Sequence, residues 1–163
     1  MRIDPALYDL AQAVNDALRA AGATLATAES CTGGLIAGAI TAVPGSSDIL
    51  YGGFVTYSNA AKTAMIGVPE DLIAHHGAVS PEVARAMAEG ARRTAQTDFA
   101  IAVTGVAGPG GGSLEKPVGL VHFGFASATA TVHEQRRFGD IGRDRVRAET
   151  VRVALRMVLE AMA

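Results

Sequence analysis

Phe99-Ala-Ile-Ala-Val103, running on into Thr104-Gly-Val-Ala-Gly-Pro-Gly-Gly-Gly112, is the stretch on which the fold turns. Five consecutive apolar residues with no polar alternation describe a central strand covered on both faces. The loop that follows ends it abruptly. Upstream, Ser80-Pro81-Glu82 reads as a helix start: a capping hydroxyl, a proline in the first turn, then an acid where the helix dipole favours one. Val83, Ala84, Met87, Ala88 and Ala91 then keep the helical period. Further upstream, Gly53-Phe-Val-Thr-Tyr57 and Thr24-Leu-Ala-Thr-Ala28 read as strands. A helix from Ser58 to Ile66, another from Pro69 to Gly77 and a small-residue helix from Gly33 to Val43 lie between them. Asp4-Pro5 opens a first helix that Gly22 stops. Downstream, Val118 to Ala126 and Thr129 to Phe138 form a hairpin, followed by a last helix from about Asp144 to Met162. Strands alternating with helices predict an α/β protein, a three-layer α/β/α sandwich whose sheet of about five strands is mixed and mostly parallel. A single domain over residues 1–163 accounts for all of it.

The composition narrows the class. The chain has 163 residues, 49% hydrophobic and 18% charged, with a formal net charge of −2. A balance so close to neutral argues against a sequence-independent nucleic-acid binder, which needs a strongly basic face. Cys31 is the single cysteine, so no intrachain disulfide can form and a reducing compartment is expected. Ser30 to Ser47 and Phe99 to Leu114 are free of charge, but glycine and proline interrupt both, and neither has the roughly 20 apolar residues of a spanning helix. The opening Met1-Arg2-Ile3-Asp4-Pro5 has no apolar signal region. The expectation is a cytoplasmic protein without a membrane partner; the oligomeric state is not readable from the sequence, and small apolar surface residues are compatible with a homodimer. Twelve of the 14 basic residues are Arg, which leaves Lys62 and Lys116 as the lysines.

Three strand ends carry the chemistry. The first strand runs into Ala28-Glu-Ser-Cys-Thr-Gly-Gly34, the second ends at Tyr57 and continues to Lys62, and the third enters the loop from Thr104 to Gly112. Ligands of open α/β sheets bind beyond the carboxyl ends of parallel strands, so three parallel strands would bring these segments to one cleft. Ser30 or Thr32 reads first as the N-cap of the next helix. The second reading makes Ser30 a nucleophile backed by the N–H groups of Thr32, Gly33 and Gly34, which can hold an oxyanion or a phosphate. Lys62 would be its base, since Ser-Lys pairs are a known variant of triad logic, with Tyr57 orienting or relaying the proton. Cys31 is the rival nucleophile, with no histidine near it in sequence. Five Gly in the eight residues from Gly105 to Gly112, Gly108 among them, allow an anion-binding nest of backbone amides beside Thr104. In Arg143-Asp-Arg-Val-Arg147 the cations open a helix against its dipole, and Arg145 is the expected ligand to a substrate anion. His75 and His76 lack a third ligand at metal-binding spacing, so no metal is expected.

Thr27-Ala-Glu-Ser-Cys-Thr-Gly-Gly34, Gly52-Gly-Phe-Val-Thr-Tyr-Ser-Asn59 with Lys62, His76-Gly-Ala-Val-Ser80, and Gly105-Val-Ala-Gly-Pro-Gly-Gly-Gly112 with Lys116-Pro-Val-Gly119 resemble the competence-damage-inducible protein A (CinA) C-terminal domain family. The resemblance runs from about residue 5 to 160. It implies an α/β/α sandwich with a mixed five-stranded sheet. It also implies a nicotinamide-nucleotide amidohydrolase, converting nicotinamide mononucleotide and water to nicotinate mononucleotide and ammonia without a cofactor. The family's catalytic Ser, Tyr and Lys match Ser30, Tyr57 and Lys62, which reverses the preference for a capping serine. Two other readings remain open on the sequence: a non-catalytic nucleotide-binding module, and an amidase or esterase of another substrate.

Overall fold

A computed structural model describes residues 2–163. Its strands are β1 (Leu25–Glu29), β2 (Leu50–Val55), β3 (Phe99–Gly105), β4 (Leu120–Ala126) and β5 (Thr131–Arg137). They form one sheet in the order β2-β1-β3-β4-β5. β1 pairs in parallel with β2 and β3, and β4 and β5 add antiparallel. The helices are α1 (Pro5–Ala21), α2 (Leu35–Thr41), α3 (Asn59–Ile66), α4 (Glu70–His76), α5 (Pro81–Ala95) and α6 (Arg143–Ala161). α1, α2 and α6 cover one face of the sheet, and α3, α4 and α5 the other. No described helix is long and apolar enough to cross a membrane.

Local chemistry sets the helix ends. Asp4 Oδ1 accepts from the Ala6 and Leu7 amides, and Gly22 closes α1 in the left-handed region. Ser58 Oγ caps α3 by accepting from Ala61 N, and Ser80 Oγ caps α5 by accepting from Val83 N. α2 departs from the sequence reading. Neither Ser30 nor Thr32 caps it; Gly34 precedes it and offers no side chain. Gly33 and Gly34 both take positive φ, so the chain turns twice before the helix begins at Leu35.

The two sheet faces differ in bulk. Leu25, Ile101, Val103, Phe123 and Phe125 pack under α1, α2 and α6. The opposite face is made of small residues in cross-strand rows, Ala26–Ala100–Ala126 and Ala28–Ala102–Gly124. These rows let α5 lie almost against the backbone: a Cβ added at Gly124 would fall on the Ala84 carbonyl oxygen. α5 meets α3 as tightly, since a Cβ at Gly90 would fall on the carbonyl oxygen of Ile66, the last residue of α3. The helix carrying Lys62 is thereby pressed onto a fixed surface.

Gly90→Ala tests this packing. Helix propensity alone favours Ala by up to about 1 kcal/mol. Overpacking costs about 1–3 kcal/mol, so a melting experiment should show Tm lower by roughly 2–10 °C. A rise in Tm would mean that α5 does not press on α3 in this way.

Candidate active site

The parallel register brings the carboxyl ends of β1, β2 and β3 to one edge, with Glu29 opposite both Val55 and Val103. Side chains alternate along β1. Ala26, Ala28 and Ser30 therefore point toward α5, while Thr27 and Glu29 point toward α2. Beyond this edge lies a cleft of about 520 Å³, lined by Ser30, Tyr57, Lys62, Thr104, Gly105 and Arg143 among others. Lys62 comes from the first turn of α3, placed there by the Ser58 cap. Its side chain is 1% exposed.

Lys62 Nζ donates to Ser30 Oγ at 3.0 Å and to the Thr56 carbonyl at 2.7 Å, with the Tyr57 carbonyl at 3.5 Å. Among the described residues no carboxylate forms a salt bridge with it. Burial therefore lowers its pKa from the ordinary lysine value, because desolvation penalises the ammonium by more than the neighbouring Cys31 side chain offsets. A buried amine in hydrogen-bond contact with a hydroxyl can take the hydroxyl proton.

Cys31 lies beside this pair but is held protonated. Burial first, and the Glu29 charge after it, push its thiol up to about 12. Its backbone carbonyl, not its sulfur, takes part in the local structure, accepting from Arg147 Nε at 3.1 Å.

The remaining expected residues separate. Tyr57 is 61% exposed, and its phenol oxygen accepts from Arg143 Nη2 at 3.1 Å. Its hydroxyl has no hydrogen bond to Ser30 or Lys62, which touch each other directly. Thr104 Oγ1 donates to the Ala78 carbonyl at 2.8 Å on the cleft wall. The Gly108 carbonyl accepts from Arg143 Nη1 at 2.7 Å. Gly33 and Gly34 depart from expectation: they line a separate cavity of about 740 Å³ between α1, α2 and α6, on the other side of the turn. The Gly33 amide is already committed to the Ser30 carbonyl at 3.1 Å. Thr32 is buried, and its hydroxyl donates to Glu29.

Arg145 also departs from expectation. It is exposed and lines no part of the cleft. Arg143 and Arg147 are four residues apart and share one face of α6, whereas Arg145 is turned well over a right angle away from both. Arg143 reaches the cleft, and Arg147 holds the carbonyls of Cys31 and Thr32 from outside it. The helical period, not the dipole at the helix start, decides which arginine faces inward. Reasoning from sequence also missed Glu29. Its carboxylate is fully buried and accepts from the amides of Ile36 and Ala37, doing the capping expected of Ser30 or Thr32. An acid just ahead of a helix start was the available signal.

A model of the CinA C-terminal domain matches residues 7–162. The chain belongs to the CinA C-terminal domain family. It is 50% identical over 152 residues to the nicotinamide-nucleotide amidohydrolase PncC of Escherichia coli K12, covering 93% of this chain and 92% of that protein. It is 52% identical over 150 residues to a CinA-like protein of Synechococcus, covering 91% of this chain but 36% of that protein. The chain thus spans about a third of the length of the CinA-like proteins it matches and nearly all of PncC. The crystal structure of competence/damage inducible protein CihA from Agrobacterium tumefaciens superposes with a TM-score of 0.95 at 48% identity, over 99% of both chains. A CinA superfamily protein from Klebsiella pneumoniae gives 0.91 at 35% identity, over 96% of this chain and 97% of that one.

The Cys31 environment makes a measurable statement. At pH 8 iodoacetamide should alkylate Cys31 in the folded protein at least roughly a thousandfold more slowly than in urea, because almost no thiolate is present. Comparable rates in the two conditions would show a reactive thiol.

Proposed function

We propose that this chain hydrolyses the carboxamide of a nicotinamide nucleotide, releasing ammonia and leaving the carboxylate. The observation that carries this reading is the buried contact between Lys62 Nζ and Ser30 Oγ, with a guanidinium at the mouth of the same cleft. The likeness to PncC over nearly its whole length supports the substrate class.

Ser30 is the nucleophile and Lys62 the base. Neutral Lys62 takes the hydroxyl proton as Ser30 Oγ bonds to the carboxamide carbon, and the carbonyl π pair moves to oxygen. Backbone N–H groups of the Ser30 turn hold the oxyanion. The Thr32 amide is available for this, since no protein acceptor takes it among the described residues, whereas the Gly33 amide is not. The oxyanion collapses, the C–N bond breaks, and Lys62 returns its proton to the departing nitrogen, giving ammonia and an acyl-enzyme. Water then attacks with Lys62 again as base, and the carboxylate product leaves Ser30 free.

Arg143 is the phosphate ligand. Two of its nitrogens are fixed by Gly108 O and Tyr57 Oη, which aims the guanidinium and leaves further N–H groups toward the cleft. Tyr57 serves the substrate end of the site by orienting Arg143. Gly105 and Thr104 form the wall between the two ends.

Ser30→Ala should lower ammonia release from nicotinamide mononucleotide by about a thousandfold or more, while Tm stays close to wild type because Glu29, not Ser30, caps α2. Lys62→Arg keeps the positive charge but cannot deprotonate, so single-turnover release should fall by about a hundredfold to ten-thousandfold. Retention of the rate within a few-fold in either variant would exclude a Ser-Lys mechanism.

The pH dependence has a definite sign. Lys62 must be neutral to act, and its folded pKa lies below the ordinary 10.5. Turnover should therefore rise with pH on a limb centred below 10.5. The unfolded chain binds the proton more tightly, so the Lys62 contribution to stability also rises with pH from the folded pKa toward 10.5. A limb centred at or above 10.5 would contradict a desolvated base.

Arg143→Ala should raise KM for the mononucleotide about tenfold to hundredfold and leave the riboside nearly unchanged. Equal losses for both would remove the phosphate contact. Activity on the riboside alone would point to another amide as substrate.

A further inference from the structure

We infer that Glu29 is the positioning residue that registers the nucleophile against its base, an inference that rests on the Ser30–Lys62 reading above and extends it. Glu29 does not face the cleft. As the neighbour of Ser30 on β1 it points to the opposite face of the sheet, under α2. Yet it is bonded to both sides of the reacting pair.

Its carboxylate holds the nucleophile side. Oε1 accepts from Thr32 Oγ1 at 2.6 Å and from Ile36 N at 2.8 Å. Oε2 accepts from Ala37 N at 3.0 Å and from Thr27 Oγ1 at 3.3 Å. Three of these donors lie on the segment leaving Ser30, so one carboxylate fixes where that turn sits. The Glu29 backbone holds the base side. Its carbonyl accepts from Thr56 N at 2.9 Å, and the Thr56 carbonyl accepts from Lys62 Nζ at 2.7 Å. The relation of Nζ to Oγ is thus set through a single residue.

The surroundings are shaped for this carboxylate. A Cβ at Gly53 on β2 would fall on Thr27 Oγ1, so glycine there leaves room for the hydroxyl that donates to Oε2. Each carboxylate oxygen of Glu29 meets one backbone N–H group and one threonine hydroxyl. A glutamine has the same shape but must present an amide NH2 to one of the two backbone N–H groups, and the turn must move to relieve it.

The test compares Glu29→Gln and Thr32→Val with wild type by two readouts. The first is steady-state ammonia release from nicotinamide mononucleotide. Glu29→Gln should lower kcat about tenfold to hundredfold with KM within about threefold, and Thr32→Val should lower kcat about threefold to tenfold. The rising pH limb should stay centred below 10.5, because Lys62 stays buried in either variant; a general loss of structure would expose the lysine and would not spare KM. The second readout is the rate at which a fluorophosphonate labels Ser30, which needs no substrate assignment and should fall in parallel with kcat. Labelling of wild-type Ser30 without ammonia release would refute the substrate reading and leave Glu29 to be judged on labelling rates. A wild type that neither labels nor turns over removes both. If Glu29→Gln does not fold, Thr32→Val, which removes one donor of four, decides. Labelling and kcat within twofold of wild type in the folded variants, or a loss confined to KM, overturns the positioning role.

Discussion

A lysine buried without a carboxylate partner is the constraint around which this molecule is organised. A carboxylate beside Lys62 would stabilise the ammonium and abolish a base; exposure to water would do nearly the same. Lys62 therefore sits at 1% exposure with a serine hydroxyl and backbone carbonyls as its polar neighbours. Everything that achieves this is structural. The Ser58 cap starts α3 at the right residue, α5 presses α3 inward, and the alanine rows let α5 come that close. The acid nearest in sequence to Ser30, Glu29, is turned to the other face of the sheet by the two-residue period of β1.

The same alternation explains why part of the site could be read from sequence and part could not. Residues that follow strands were legible because topology alone collects them: once β1, β2 and β3 were recognised as parallel strands, Ser30, Lys62 and the loop after Thr104 had to converge. Capped helices were legible for a similar reason, since Asp4, Ser58 and Ser80 act on amides two or three residues away. Arg143 was obscured because three arginines open α6, and a choice among them depends on the helical phase relative to a sheet that sequence does not fix. Glu29 was obscured because a buried carboxylate is recognisable only through its donors. Those donors come from residues 27, 32, 36 and 37, brought around it by two consecutive left-handed glycines. The strand-to-helix turn looks like a capping site in sequence and is one in structure, with a different residue as the cap.

The steric crowding between α5, α3 and the small-residue sheet face also bears on what the cleft can be adapted to accept. Two walls of the cleft rest on backbone packed against backbone, where a side chain cannot be enlarged and a smaller one is seldom available. The wall after Thr104 is different: the Gly108 to Ser113 stretch carries little side-chain bulk and is largely exposed. Variation in substrate range within this architecture should therefore accumulate in the glycine-rich loop and at the start of α6. The packing around Ser30 and Lys62 leaves almost no latitude for it.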